Sequence, residues 1–174
     1  MLLCAALFFG CATLSATERD QLETKADHGD AEAQYELGFI YERGIGVPKS
    51  GIKAAEWYQK AAAQGNVSAQ CSLGFMYEVG IGIPKDEARA LEWYRKAAVQ
   101  GEAFAQDRLG IMYFYGRGVP KNIVLAYTWL SLSPQKEITD ASQLRDKLEQ
   151  TLTPEQKVEA KKHSAELSAK IPKK

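Results

Sequence analysis

The chain contains 174 residues, of which 45% are hydrophobic and 25% are charged, a composition typical of a globular protein of one domain. Its 22 basic residues balance its 22 acidic residues. General nucleic-acid binding depends on an excess of clustered Lys and Arg, so this balance excludes it and we expect no nucleic-acid partner.

Residues 1–16 form an uncharged, largely apolar segment that differs from the rest of the chain. The segment is too short for a membrane-spanning helix and matches the apolar core of a secretory signal. Cleavage after Ala12 or Ala16 would export the protein to the bacterial periplasm, envelope or exterior. Alternatively, the stretch Leu7-Phe8-Phe9-Gly10-Cys11 resembles a lipoprotein signal, in which Cys11 receives a lipid and anchors the protein to a membrane. An uncleaved start is the third interpretation.

Once such a signal is removed, Cys71 is the single remaining thiol, so no internal disulfide is expected. A segment over 17–29 follows the signal and is predicted to be a capping helix. In it, Leu22 occupies the position that Tyr58 holds in the first full repeat.

The dominant feature is a gap-free repeat of thirty-six residues, present in three copies over 30–65, 66–101 and 102–133. Such a period indicates a stacked repeat architecture, because one unit cannot bury its apolar face alone. The residues that recur in register include Ala33, Ala69 and Ala105; Gln34, Gln70 and Gln106; Leu37, Leu73 and Leu109; Gly38, Gly74 and Gly110; Tyr41, Tyr77 and Tyr113; and Trp57, Trp93 and Trp129.

Each copy predicts a first helix, over 31–43, 67–79 and 103–115, because Ala, Leu and Tyr recur at i, i+4 and i+8 on one helical stripe. A glycine after each first helix is expected to cap it in the left-handed conformation. These glycines are Gly44, Gly80 and Gly116.

A loop containing Gly and Pro then leads to a second helix, near 51–64, 87–100 and 123–133. The N-cap of each second helix is predicted to be a short polar side chain that accepts from a free backbone N–H. These caps are Ser50, Asp86 and Asn122, and Trp and Tyr on the second helices are predicted to fill the space between units.

After the third copy, 134–174 is predicted to hold capping helices and a basic tail. An amphipathic helix is expected over 138–151. A second helix begins after Thr153, with Pro154 at its first position and Gln156 completing a capping box.

The pattern Ala-Gln-x-x-Leu-Gly-x-x-Tyr, followed by Gly-x-Gly-Val-Pro and Ala-x-x-Trp-Tyr-x-Lys-Ala, resembles the Sel-one-like repeat (SLR). This family is a relative of the tetratricopeptide repeat. The resemblance covers roughly 30–133 and is nearly complete over 69–97. It implies an all-α, right-handed α-solenoid (an α/α superhelix) of three helix–turn–helix repeats with capping helices at both ends.

The resemblance also implies a scaffold or adaptor that binds a protein or peptide through its concave face, here as an exported monomer without a cofactor. A cysteine-rich branch of the family is linked to β-lactam binding and hydrolysis, but it carries paired cysteines that this chain lacks. No catalytic or metal-ligating residue is predicted, because Cys71, His28 and His163 have no partners at a suitable spacing. A lipid-anchored structural protein of the envelope is the other alternative.

Candidate partner-binding residues are those that differ between copies at equivalent positions, since partner choice requires variation on an invariant scaffold. Ordinary solvated positions would vary in the same way. Phe39, Phe75 and Ile111 are interpreted as packing residues instead. The three variable sets are Tyr35, Cys71 and Asp107; Glu36, Ser72 and Arg108; and Glu42, Glu78 and Phe114.

Overall fold

The computed structural model describes residues 15–134 and 139–172, and these contain nine helices and no strand. The helices are α1 (Ala16–Asp27), α2 (Ala31–Arg43), α3 (Gly51–Ala63), α4 (Val67–Val79), α5 (Glu87–Ala98), α6 (Ala103–Tyr115), α7 (Ile123–Leu132), α8 (Asp140–Thr151) and α9 (Pro154–Ser168). The three first helices have the predicted bounds, and the second helices end one or two residues earlier than predicted.

The helix ends confirm the predicted caps. Ser50 Oγ accepts from the backbone N–H of Lys53, and Asp86 and Asn122 make the same bond at the start of α5 and α7. The capping glycines after α2, α4 and α6 are left-handed, with φ between 72° and 84°. Thr153 and Gln156 form the predicted capping box of α9.

The repeats stack as a right-handed α-solenoid. Each first helix packs on its own second helix, and each second helix packs on the first helix of the next copy. The first helices α2, α4 and α6 therefore form one layer, and α1, α3, α5 and α7 form the other. Helix α8 contacts both α6 and α7 and stands where the first helix of a fourth copy would lie, while α9 packs on α7.

Small residues in the first helices allow the second helices to approach closely. A Cβ placed on Gly38 would lie 2.5 Å from a ring carbon of Tyr58, and one on Gly74 would lie 2.8 Å from Tyr94. Both tyrosines are fully buried. Each glycine in these two helices is thus required by the ring that lies against it.

All three tryptophans pack against the core, as predicted, but to different extents. Trp57 and Trp93 are only partly buried, and Lys60 and Lys96 place their Nζ atoms 3.8 Å from the respective ring centroids. Only Trp129 is buried, at 4% exposure. The neighbouring tyrosines fill the space between units, because they point toward the first helices.

A ladder of buried glutamine amides links successive repeats. Gln34, Gln70 and Gln106 each donate through Nε2 to a backbone carbonyl eight residues earlier, at 2.9, 3.2 and 3.1 Å. Gln64 and Gln100 donate in turn to the side-chain oxygens of Gln34 and Gln70, both at 2.8 Å. The repeated glutamine therefore satisfies a carbonyl at the end of the preceding second helix, a role that the sequence pattern alone did not reveal.

We expect replacement of Gln70 by Leu to lower the free energy of unfolding by about 1–3 kcal/mol, because the Ala62 carbonyl and the Gln100 amide each lose one of their hydrogen bonds at a buried position. Urea denaturation followed by circular dichroism measures this loss. The control is Gln64→Leu, which removes a single bond from an exposed residue and should cost under about 1 kcal/mol. Equal losses for both variants would contradict a structural role for the buried amide.

Candidate functional site

The nine variable residues predicted to select a partner all lie on the first helices α2, α4 and α6. Their side chains differ in accessibility. Glu78 and Asp107 are each only 8% exposed, whereas the other seven are partly buried. Many of these side chains contact a neighbouring repeat, and the contacts show what each one does within the fold.

Each member of the set Glu42, Glu78 and Phe114 changes in step with a residue on the second helix of its own copy, sixteen positions later. Glu42 accepts a 2.7 Å hydrogen bond from the Tyr58 hydroxyl, and Glu78 accepts one of 2.9 Å from Tyr94. In the third copy the corresponding residues are Phe114 and Leu130. An apolar pair thus replaces a hydrogen-bonded pair, an exchange that leaves no polar group unsatisfied. The variation at these positions has a packing explanation.

In the set Glu36, Ser72 and Arg108, the arginine reaches back to the preceding repeat. Arg108 donates from Nε to Glu78 Oε2 at 3.1 Å, and its Nη2 bonds the other carboxylate oxygen. This two-point contact joins the second and third repeats. Burial, followed by the nearby Glu78 carboxylate, raises the pKa of Tyr94, which keeps its hydroxyl protonated as a donor.

The set Tyr35, Cys71 and Asp107 lies deeper between the helices. Burial raises the pKa of Cys71 to about 12, with a smaller contribution from Glu102, so the thiol stays protonated at neutral pH. Burial also raises the pKa of Asp107, while the nearby Ser133 hydroxyl and the charge of Arg145 act in the opposite direction. Asp107 therefore faces the contact between the third repeat and α8.

Burial raises the pKa of Tyr35 and of Glu36, and neighbouring Glu32 adds to both effects. The Tyr35 ring lies 5.7 Å from the Tyr58 ring, centroid to centroid. Ser68 and Cys71 of the second repeat also act on Tyr35, which therefore lies at the junction of the first and second repeats, whereas Glu36 faces Lys25 of α1. As partly buried residues, Tyr35 and Glu36 retain some surface on the first-helix layer.

The most exposed apolar side chains of this layer are not among the nine predicted residues. Large apolar side chains project from α4 and α6: Phe75 is 36% exposed, Val79 50%, Phe104 40% and Tyr115 60%. Phe75 and Val79 lie at i and i+4, on one side of the helix. Phe75, interpreted from the sequence as a packing residue, thus also presents part of its ring on the surface, and the apolar pair at this spacing was the signal that could have indicated it.

We call these four residues the first-helix patch: Phe75, Val79, Phe104 and Tyr115. Cationic side chains accompany two of its rings. The Arg117 guanidinium lies 5.0 Å from the Tyr115 centroid, and that of Arg108 lies 5.9 Å from Phe104. Aromatic groups with adjacent arginines are enriched at the energetically important centres of protein interfaces. The patch has the surface chemistry of a recognition site.

The described residues contain no group of three or more His, Cys, Asp and Glu side chains arranged to hold a metal ion. His28 instead lies at the end of α1, with Nδ1 2.6 Å from the Thr24 carbonyl oxygen. Within residues 15–134 and 139–172, no helix has the length and apolar character needed to cross a membrane. Cys11, the candidate lipidation site, lies outside the described residues.

Stacked helix pairs with a continuous core define the class of this protein as an α-solenoid of helical repeats. A model of the Sel1 repeat matches residues 31–66, 67–102 and 103–133, which together make up more than half of the chain. The protein belongs to the Sel1 repeat family, whose members generally serve as non-enzymatic scaffolds for protein–protein interaction.

Two solved structures show the same fold. One is c5321, a protective antigen of uropathogenic Escherichia coli strains that displays an SLR fold, with a TM-score of 0.80 and 38% identity. The match covers 92% of this chain and 34% of the antigen, so the chain spans about a third of that protein. The other is a Sel1 repeat protein from Oxalobacter formigenes, with a TM-score of 0.65, 38% identity and coverage of 73% and 96% respectively. No curated protein matches the sequence significantly.

Proposed function

We propose that the protein is an adaptor that binds a protein or peptide segment across the concave, first-helix layer of its solenoid, with the first-helix patch as the main contact. The distribution of exposed apolar side chains carries this proposal. Of the six large apolar side chains that are exposed among the described residues, four belong to the patch on α4 and α6. The other two, Ile52 and Val158, lie on α3 and α9.

The chemistry of the patch supports an amphipathic partner. Burial of exposed Phe, Tyr and Val surface contributes about 25 cal/mol per Å² removed from water. Arg117, next to Tyr115, offers a charge-assisted contact to a carboxylate of the same partner. We therefore expect a segment that combines apolar side chains with acidic ones, and we expect the free protein to be a monomer.

A crosslinking experiment in the native host tests this function. The triple variant Phe75→Ser, Val79→Ser and Tyr115→Ser removes apolar surface that is already exposed, so it should retain the helical circular dichroism signal. We expect it to lose most of the partner that wild-type protein captures. The matched control is Ile52→Ser with Val158→Ser, which removes exposed apolar surface from other helices.

Partner recovery that is unchanged in the triple variant would remove the first-helix patch as the binding site. Equal losses in the triple variant and in the control would show instead that capture depends on general surface hydrophobicity. Loss in the triple variant alone is the result that supports the proposal.

Export of the protein is the second part of the proposed function. It is supported by the uncharged, apolar sequence of residues 1–16. Mass spectrometry of the mature N-terminus distinguishes the routes: a free N-terminus after Ala12 or Ala16 indicates simple cleavage, whereas a diacylglyceryl mass on Cys11 indicates a membrane anchor. An intact Met1 in protein isolated from the host would contradict export.

A further inference from the structure

A cavity of about 360 Å³ lies away from the first-helix patch, among the second helices and the C-terminal helix α9. Its floor is apolar and includes Val99, Leu125, Trp129 and Leu167, with Tyr113 beside them. This volume falls within the range of small-molecule sites in proteins. The cavity is therefore large enough for a ligand with one ring or one branched apolar chain.

At one position that lines the cavity, the third repeat differs from the other two. In the first repeat, Lys53 lies over the Tyr41 ring at 5.0 Å, and in the second, Arg89 lies over the Tyr77 ring at 5.6 Å. The equivalent residue in the third repeat is the shorter, uncharged Leu125. The third repeat therefore has a leucine at the position from which the other copies place a cation over the tyrosine ring, and the cation at the Tyr113 hydroxyl comes from Arg95 of the preceding repeat.

Charged groups line the rest of the cavity, and most are positive. Arg95 donates from Nη2 to the Tyr113 hydroxyl at 2.7 Å, and Lys170 and His163 also line the cavity, with Glu166 as the one acidic residue. No carboxylate of the described residues lies within ion-pairing distance of Arg95 or Lys170. The Nδ1 atom of His163 is buried and has no hydrogen-bond partner in this part of the chain.

We propose that this cavity binds a carboxylate attached to a single apolar ring or branched chain. The apolar group would lie on Trp129 and Leu125, and the carboxylate would accept hydrogen bonds from Arg95. A guanidinium that has no ion pair among the described residues and lies beside an apolar floor suits this chemistry, because it can bind a carboxylate at two points. Two kinds of ligand carry a carboxylate next to such an apolar group: a free organic acid and the C-terminal residue of a peptide.

Titration of the purified protein with phenylacetate, followed by nuclear magnetic resonance of the tryptophan indole N–H groups, tests the site. We expect saturable shifts of the Trp129 signal in the millimolar to high-micromolar range, with the signals of Trp57 and Trp93 unmoved. Phenylacetamide, which has the same ring without the charge, should bind about tenfold more weakly. A tripeptide Gly-Gly-Phe and its C-terminal amide provide the second pair of probes and distinguish a peptide end from a free acid.

Two variants taken from the other copies control the experiment. Leu125→Arg installs the residue of the second repeat and should abolish binding by filling the cavity. Arg95→Gln installs the residue found at the equivalent Gln59 and should weaken binding about tenfold. Lys96→Gln, which alters a cation outside the cavity, should leave binding unchanged.

Absence of any saturable shift with phenylacetate and with the free tripeptide would overturn the proposal. Equal affinity for the acids and their amides would overturn it too, as would unchanged binding by a folded Leu125→Arg variant. Arg95→Gln gives an independent answer if Leu125→Arg does not fold, because it leaves the cavity open and changes only the charge.

Discussion

Replacement of Gly82 by alanine is expected to lower the free energy of unfolding by about 2–5 kcal/mol. Gly82 lies in the loop after α4 with φ of 71°, a left-handed conformation that costs an L-residue about 1–2 kcal/mol. Its Cβ would also overlap the carbonyl group of Gly51 at the start of α3. That obstacle is backbone and cannot rotate away, so the two repeats would have to separate.

Gly65→Ala is the matched control for this prediction. Gly65 also has a positive φ, 92°, but a Cβ on it would meet nothing within 4 Å. We therefore expect Gly65→Ala to cost only the conformational strain, about 1–2 kcal/mol. The difference between the two variants, measured by urea denaturation, isolates the contact between the loop and the preceding repeat.

The same contact should affect cooperativity as well as stability. Repeat proteins are held together by interfaces between neighbours, so a weakened interface lets units unfold separately. Gly82→Ala should therefore give a broader transition with a lower denaturant slope, whereas Gly65→Ala should shift the midpoint alone. Equal losses and equal slopes would show that the loop does not couple the repeats. Gly118 makes the corresponding contact with the Glu87 carbonyl one repeat later.

The sequence predicts the helix bounds and caps well because those features are local. A glycine after a helix or a Ser, Asp or Asn before one acts within a few residues, and three copies in register remove the ambiguity of any single motif. Close approach at Gly38 and Gly74 was also predictable, since small residues recur on an otherwise apolar face. Neither inference needed the three-dimensional arrangement of the repeats.

The candidate site was harder to predict because its variation couples residues that are far apart in sequence. Glu42 and Tyr58 exchange together with Phe114 and Leu130, a correlation visible only when two positions are compared across copies. The contact of Arg108 with Glu78 spans thirty residues and depends on how successive repeats are stacked. Some positions that differ between copies therefore belong to residue pairs that change together and keep the packing intact. Only the exposed fraction of each side chain separates such pairs from positions that are free to contact a partner.

Loss of the ion pair between Glu78 and Arg108 is also expected to lower the stability of the protein strongly. We expect Arg108→Met to lower the free energy of unfolding by about 2–4 kcal/mol, because it leaves a buried carboxylate with the Tyr94 hydroxyl as its remaining partner. Glu78 is 8% exposed at its side chain and Arg108 26%, which places the pair between a buried and a surface salt bridge. The expected loss is therefore somewhat below that for a fully buried pair.

The third repeat supplies the control for this variant. Its equivalents of Glu78 and Tyr94 are Phe114 and Leu130, which pack without a charge. Adding Glu78→Phe and Tyr94→Leu to Arg108→Met should restore most of the lost stability, because replacing all the polar partners leaves no buried group unsatisfied. A loss for Arg108→Met of under about 1 kcal/mol, the level of surface ion pairs, would contradict this account. If the triple variant regains the lost stability, the charged contact and the apolar contact are two alternative ways to pack the same interface.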